Sequence, residues 1–310
     1  MIEPNFNAHG RDNSVFGAFI CIAIAETCLV LMGHFIKIAS ANHGIAAVFF
    51  WVQVFSVIFL FPLVIMGGAV RLRSHYIGTH LLRSGVGVAA MLLMFYAYDH
   101  LDLSMATLLK LLSPAFIPFV AILVLGERPT VFTFLALVMA FAGVFIALQP
   151  QTSGSVHQFG VIAATLAALL AAFGKSLVRR MGHKEPVDII AFYFSCFAVL
   201  VGLALVLRAN IAPTQLVLLA QQEWQLLALI ALLATLGQYF ATLAFTKHRA
   251  AVVAIFTYIA LPIAALIGVV FWGERVTPSA TVSAVLILAA GVLGSRARLN
   301  ANKGQKEGLS

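Results

Sequence analysis

Long apolar stretches separated by short polar ones run the length of this chain. Ten of them have the about 17–25 residues that a bilayer-spanning helix needs. They fall at roughly 15–35, 44–66, 79–98, 103–124, 130–148, 158–178, 187–207, 225–246, 251–272 and 277–295. None is dominated by the period-two alternation of a membrane β-strand. The pattern predicts an all-α integral membrane protein with ten transmembrane helices. The opening MIEPNFNAHGRDNS is polar, with two acids against one arginine. It lacks the basic start of a leader peptide, and no small-residue cleavage site closes the first run. That run is therefore expected to remain as a helix.

Composition sharpens the class. Of 310 residues, 62% are hydrophobic and 10% charged, against about 25% charged in soluble domains. The formal charge of +8 raises the question of a nucleic-acid partner, and its placement answers it. With a cytoplasmic N-terminus, thirteen of the nineteen Lys and Arg fall on cytoplasmic segments. Lys37, Arg208 and Arg275 fall on the other side, and Arg83, Lys110 and Lys175 within the runs. That asymmetry is the positive-inside signature. It places both termini in the cytoplasm, the lipid bilayer as the partner, and no nucleic acid. Cys21, Cys28 and Cys196 lie within runs and form no CxxC pair, so neither a disulfide framework nor zinc spacing is present.

The chain repeats itself. GERPT at Gly126–Thr130 returns as GERVT at Gly273–Thr277, 147 residues later, and Pro114 and Pro262 sit 148 apart. Gly17 to Lys37 in the first run matches Gly160 to Arg180 in the sixth. Two halves are expected, 1–150 and 151–310, divided at the breaker-rich QPQTSGS. Five runs per half is odd, so the second half enters the membrane inverted. That is a plan of secondary transporters, whose substrate site lies near the midplane between the halves. In GER-T, glycine also suits the end of one helix and threonine the start of the next. Small residues on runs five and ten (Ala136, Ala140, Gly143, Ala284, Gly291) suit close helix contact within the monomer or in a homodimer.

The run FYAYDHLDLSMATLLKLLSPAFIPFVAILVLGERPTVFTFLALVMAFAGVFIAL resembles EamA-type members of the drug/metabolite transporter superfamily. These show an aromatic-rich end of span three, small residues into span four, a Ser/Pro turn and then GE-R. GQYFATLAFTKHRAAVVAIFTYIALPIAALIGVVFWGERVT resembles the second copy. The likeness covers essentially the whole chain. It implies a ten-helix inverted-repeat transporter of the bacterial inner membrane, often an exporter of amino acids or related metabolites. Spans one, three, four, six, eight and nine would line its cavity. Ala25-Glu26 stands where an aromatic is frequent in the family.

Ionisable side chains at mid-membrane cost about 2.5–3.5 kcal/mol on insertion scales and are functional candidates by default. Glu26 sits near the centre of run one, roughly 13 Å from its far end at 1.5 Å per residue, and Lys110 roughly 10 Å inside run four from the same side. Their depths agree. They are expected to share a central cavity, paired when it is empty and binding the amine and carboxylate of a zwitterionic substrate when it is full. Glu26 is also the candidate for proton coupling. Gln238, Tyr239, Tyr258, Tyr96 and Ser113 are the further candidates for substrate binding, with Tyr98 beside Tyr96 on the same run. Pro114 and Pro262 are matched helix breaks; each removes a backbone donor and frees a carbonyl four residues earlier.

Arg83 and Lys175 lie within about four residues of a span end, and are expected to snorkel to headgroups. His34, Lys37, His43 and His100 read as interfacial anchors. Asp99, His100, Asp102 and His34 lack the tight spacing of a metal site, so none is expected. FGKS at Phe173–Ser176 has Leu169 where a phosphate loop needs glycine, and no cofactor motif appears. The sequence reading is a secondary transporter exporting an amino acid or amino-acid-like zwitterion by alternating access. Import of a nucleoside-like metabolite such as S-adenosylmethionine is the alternative within transport. An integral-membrane enzyme is the alternative outside it, without HExxH, GxSxG or paired intramembrane aspartates to support it.

Overall fold

Lipid offers no hydrogen bonds, so backbone groups in apolar runs must be satisfied within the segment, which an α-helix does. The computed structural model describes residues 11–66, 76–113, 115–117, 120, 131–147, 155–181, 185–247, 253, 256–275, 277–279, 281–290 and 292–293. They form α1 (Arg11–His43), α2 (Ile45–Met66), α3 (Ile77–His100), α4 (Leu103–Lys110), α5 (Val131–Ala147), α6 (Ser155–Met181), α7 (Val187–Arg208), α8 (Pro213–Lys247) and α9 (Ala260–Trp272). A further helix, α10, covers Thr281–Ala290. Among the described residues there is no strand.

Six of these helices, α1 to α3 and α6 to α8, are long and apolar enough to cross a membrane; Leu103–Ile117, α9 and α10 are shorter. The outward faces carry Ile58, Phe134, Leu200, Leu266 and Phe271, a surface suited to acyl chains. The interior is equally apolar, with Ile22, Ile36, Phe49, Phe95, Leu109 and Ile189 fully buried. The chain is a multi-pass membrane protein, helical throughout its described core. The closest helix pairs are α1 with α8, α3 with α6, and α2 with α7, while α4 packs on α9. Ser283 of α10 donates its hydroxyl to the Gly143 carbonyl of α5 at 2.8 Å, so α5 at Gly143 and α10 meet within one chain.

Two elements differ from expectation. α8 starts at Pro213, twelve residues before the apolar run at 225, and changes direction at Glu223 (φ −117°, ψ 17°). Proline is well suited to a first helical position, and the polar QQEWQ bends this helix instead of delaying it. The Trp51 indole N–H holds the early segment through the Leu216 carbonyl (3.1 Å). α4 tightens after Lys110: the N–H groups of Leu111 and Leu112 reach the carbonyls of Leu108 and Leu109, three residues back, at 3.0 and 3.1 Å. Pro114, expected to break this helix, lies outside the described residues, as does GERPT. Later in the chain, a 3-10 turn over Thr257–Ile259 leads into α9. Pro262 sits in the first turn of α9, where its missing N–H costs nothing because the first donors of a helix have no partner within it. Thr257 stands one repeat length, 147 residues, after Lys110.

Candidate functional site

Lys110 closes the regular part of α4, with its side chain directed into the bundle. Its Nζ donates to Glu26 Oε2 of α1 at 2.7 Å. Glu26 is buried and Lys110 half-buried. The pair opens onto an interior cavity of about 160 Å³ lined from α1, α3, α4, α6, α7 and α8. Gln238 and Thr242 of α8 and Ser113 beyond α4 also line it. Matched depth therefore brings Glu26 and Lys110 into contact, and Ser113 and Gln238 join them.

The tyrosines distribute differently. Tyr98, buried, lines the cavity. Tyr96, two residues earlier, stacks on His100 with ring centroids 4.0 Å apart. Two residues on a helix are about 200° apart, so the two cannot share a face. Tyr239 packs edge-on to Phe240. Tyr258 lies in the 3-10 turn, its hydroxyl buried without a hydrogen-bond partner among the described residues. Neither Tyr239 nor Tyr258 is among the residues that line the cavity.

Arg83 and Lys175 correct the expectation of snorkelling. Both line the cavity. Lys175 donates to the Ser113 hydroxyl at 3.2 Å, with its ammonium 5.4 Å from the Phe245 ring centroid. Arg83 is buried, its guanidinium over the Phe194 ring at 4.4 Å. A long side chain near a helix end reaches inward as easily as outward, and position along the run does not choose between them. Helical spacing does. Arg83, Gly87, Met91, Met94 and Tyr98 all line the cavity at steps of three or four, which is one helix face. Extending that face back from Tyr98 finds Arg83.

A separate polar network lies at the end of the bundle that holds Trp272. His34 is buried there, and accepts the Trp272 indole N–H at 3.0 Å; it is a packed residue, not an interfacial anchor. Lys37 donates to the Leu101 carbonyl at 3.0 Å and lies 4.7 Å from the Trp272 ring centroid. Glu274 of GERVT accepts the N–H groups of Leu103 and Ser104 and the Ser104 hydroxyl (2.6 Å). The first N–H groups of α4 have no helical partner, and the positive end of the helix dipole favours a carboxylate. Asp102, beside them, makes no such cap.

The approach depends on two glycines. Gly273 ends α9 in the left-handed conformation (φ 62°), which glycine adopts without strain, and its own N–H and that of Glu274 (3.0 Å) both turn back to the Gly268 carbonyl. A Cβ on Gly268 would lie 2.1 Å from Glu274 Oε2. The GERVT copy thus ends one helix, as its glycine predicts, and caps another, which nothing local in the sequence signals.

The comparisons with known proteins agree with this architecture. A sequence model of the EamA-like transporter family matches residues 16–149 and matches again over 158–295. The chain belongs to the EamA-like transporter family. Among its EamA relatives, the pseudopaline exporter CntI of Pseudomonas aeruginosa PAO1 is 28% identical, over 89% of this chain and 94% of its own. A riboflavin transporter of Brucella anthropi is 26% identical, over 81% and 89%. A solved crystal structure superposes with a TM-score of 0.62 at 17% identity, covering 94% of this chain and 99% of the other, which supports the fold. Family and relatives make this EamA protein a small-molecule transporter and not an enzyme.

Proposed function

We propose that this chain is a secondary transporter that exports an amine-bearing metabolite of amino-acid type across the bacterial inner membrane, with both termini in the cytoplasm. The observation that carries the reading is the Lys110–Glu26 pair, 2.7 Å apart and facing an interior cavity. A buried ion pair is weak as a stabilising device, because desolvation offsets its attraction. In a cavity it becomes exchangeable: a substrate ammonium replaces Lys110 at Glu26, and a substrate carboxylate replaces Glu26 at Lys110. Gln238 and Ser113 supply neutral hydrogen bonds beside them. The same Glu26 carries the proton in a coupled cycle, being freed or occupied with each turnover.

Movement follows from two inverted five-helix halves, 1–150 and 151–310. The double match to one family model and the tight turns near Lys110 and Thr257 support that division. In alternating access the network around Trp272 and Glu274 serves as the gate at one end, which releases when the cavity opens there. Export is favoured by the exporter among the relatives. Counterflow of pooled labelled metabolites in proteoliposomes, with and without a pH gradient, tests the proposal. Exchange of one pool, lost in Glu26→Gln and Lys110→Met, is the expected result. Wild-type rates from both variants would end it.

A further inference from the structure

The charges that face the cavity do not balance. Among its described lining residues are one carboxylate, Glu26, and three cations, Arg83, Lys110 and Lys175. Glu26 is already engaged by Lys110 at 2.7 Å. Lys175 meets a hydroxyl and an aromatic face, and feels the same Glu26, which Lys110 holds, only through space. Arg83 rests on Phe194, and its Nη1 is buried with no hydrogen-bond partner among the described residues. One turn before Arg83, His80 stacks on Tyr193, and Glu185 approaches His80 Nε2 at 3.8 Å.

Buried cations without carboxylates are costly at membrane depth. A zwitterion brings one charge of each sign, so it leaves the two extra cations as they were. Resting on the transport reading of this cavity, we infer that the substrate is an organic anion, with acidic groups beyond the one that meets Lys110. Those groups pair with Lys175 and Arg83.

The cations stand at two ends of the cavity, Lys110 and Lys175 together and Arg83 apart from them. Ser113, the partner of Lys175, is one turn past Lys110. Arg83 lies fifteen residues from Tyr98 on α3, about 22 Å along the helix. The acidic groups are therefore divided between two ends of an extended molecule, those that meet Lys110 and Lys175 at one end and the one that meets Arg83 at the other. Between them, Met91, Met94 and Phe245 give an adaptable apolar wall. Arginine and lysine both bind carboxylates and phosphates, so the inference names the charge and its spacing.

The test uses the full chain in proteoliposomes and a uniformly labelled bacterial metabolite extract. The extract is sorted by ion exchange into anionic, zwitterionic and cationic pools, and half of the anionic pool is treated with phosphatase. The expected result is exchange of the anionic pool at least about tenfold faster than the zwitterionic one, a difference of about 1.4 kcal/mol. Survival after phosphatase identifies carboxylates as the acidic groups; loss identifies phosphates. Arg83→Gln and Lys175→Gln should each shrink the preference, and Lys175→Arg should keep it. Preferential exchange of the zwitterionic or cationic pool overturns the inference while leaving a transporter. An anionic preference unchanged in both glutamine variants also overturns it. If no pool moves, the transport reading fails first and takes the inference with it. Should the variants not fold, the wild-type pools decide alone.

Discussion

Glu274 takes both the backbone N–H and the hydroxyl of Ser104, 170 residues earlier in the chain. The helix that carries Lys110 is thus fastened at its start by a carboxylate from the second stretch that the family model matches. Glu274→Ala should lower stability by about 1–2 kcal/mol, the upper range for loss of an N-terminal cap. Glu274→Gln should cost less, since one oxygen remains to accept. Thermal unfolding in detergent measures both.

Glu26 and Lys110 make a sharper case. Removing either leaves the other buried and unpaired, at about 3–5 kcal/mol. The double variant Glu26→Gln/Lys110→Met should be more stable than either single one, while recovering no transport. Additive losses in thermal unfolding would show that the pair is not coupled.

Gly273 gives a backbone prediction. Its φ of 62° is unfavourable for a residue with a Cβ, by roughly 1–2 kcal/mol. Gly273→Ala should lower the unfolding temperature and weaken the Glu274 clasp that follows it. Gly268→Ala should be worse, because its methyl would occupy the space of the carboxylate.

Sidedness offers a fourth check. A gate closed at Trp272 predicts that a cysteine at Ala171 on the cavity wall is reached only from the end that holds Arg83. In a background lacking Cys21, Cys28 and Cys196, an impermeant maleimide should label Ala171→Cys from one face of sealed vesicles. Trp272→Ala, which removes the His34 and Lys37 contacts, should admit label from the second face. Equal labelling from both faces without that change would refute the closed end.

What could be read from the chain alone follows from what each inference required. The apolar runs are long enough that hydropathy alone places most helices, though the bend at Glu223 hid the start of α8. Glu26 and Lys110 were legible because depth is a linear property of the run, and each is too deep to escape to water. Arg83 and Lys175 were misread because direction, unlike depth, depends on which neighbours cover the helix face. Tyr96 and Tyr98 needed an angular argument that composition does not supply. The target of Glu274 was invisible, since a cap made across 170 residues leaves no local pattern.

The clasp between Glu274 and α4 also bears on how such a protein can be cut. A gene divided at QPQTSGS would yield two polypeptides, the first holding Lys110 and the uncapped start of α4, the second holding Glu274. Neither would be a smaller transporter. They would be obligate partners, and the binding site would assemble only where both are inserted in the same bilayer.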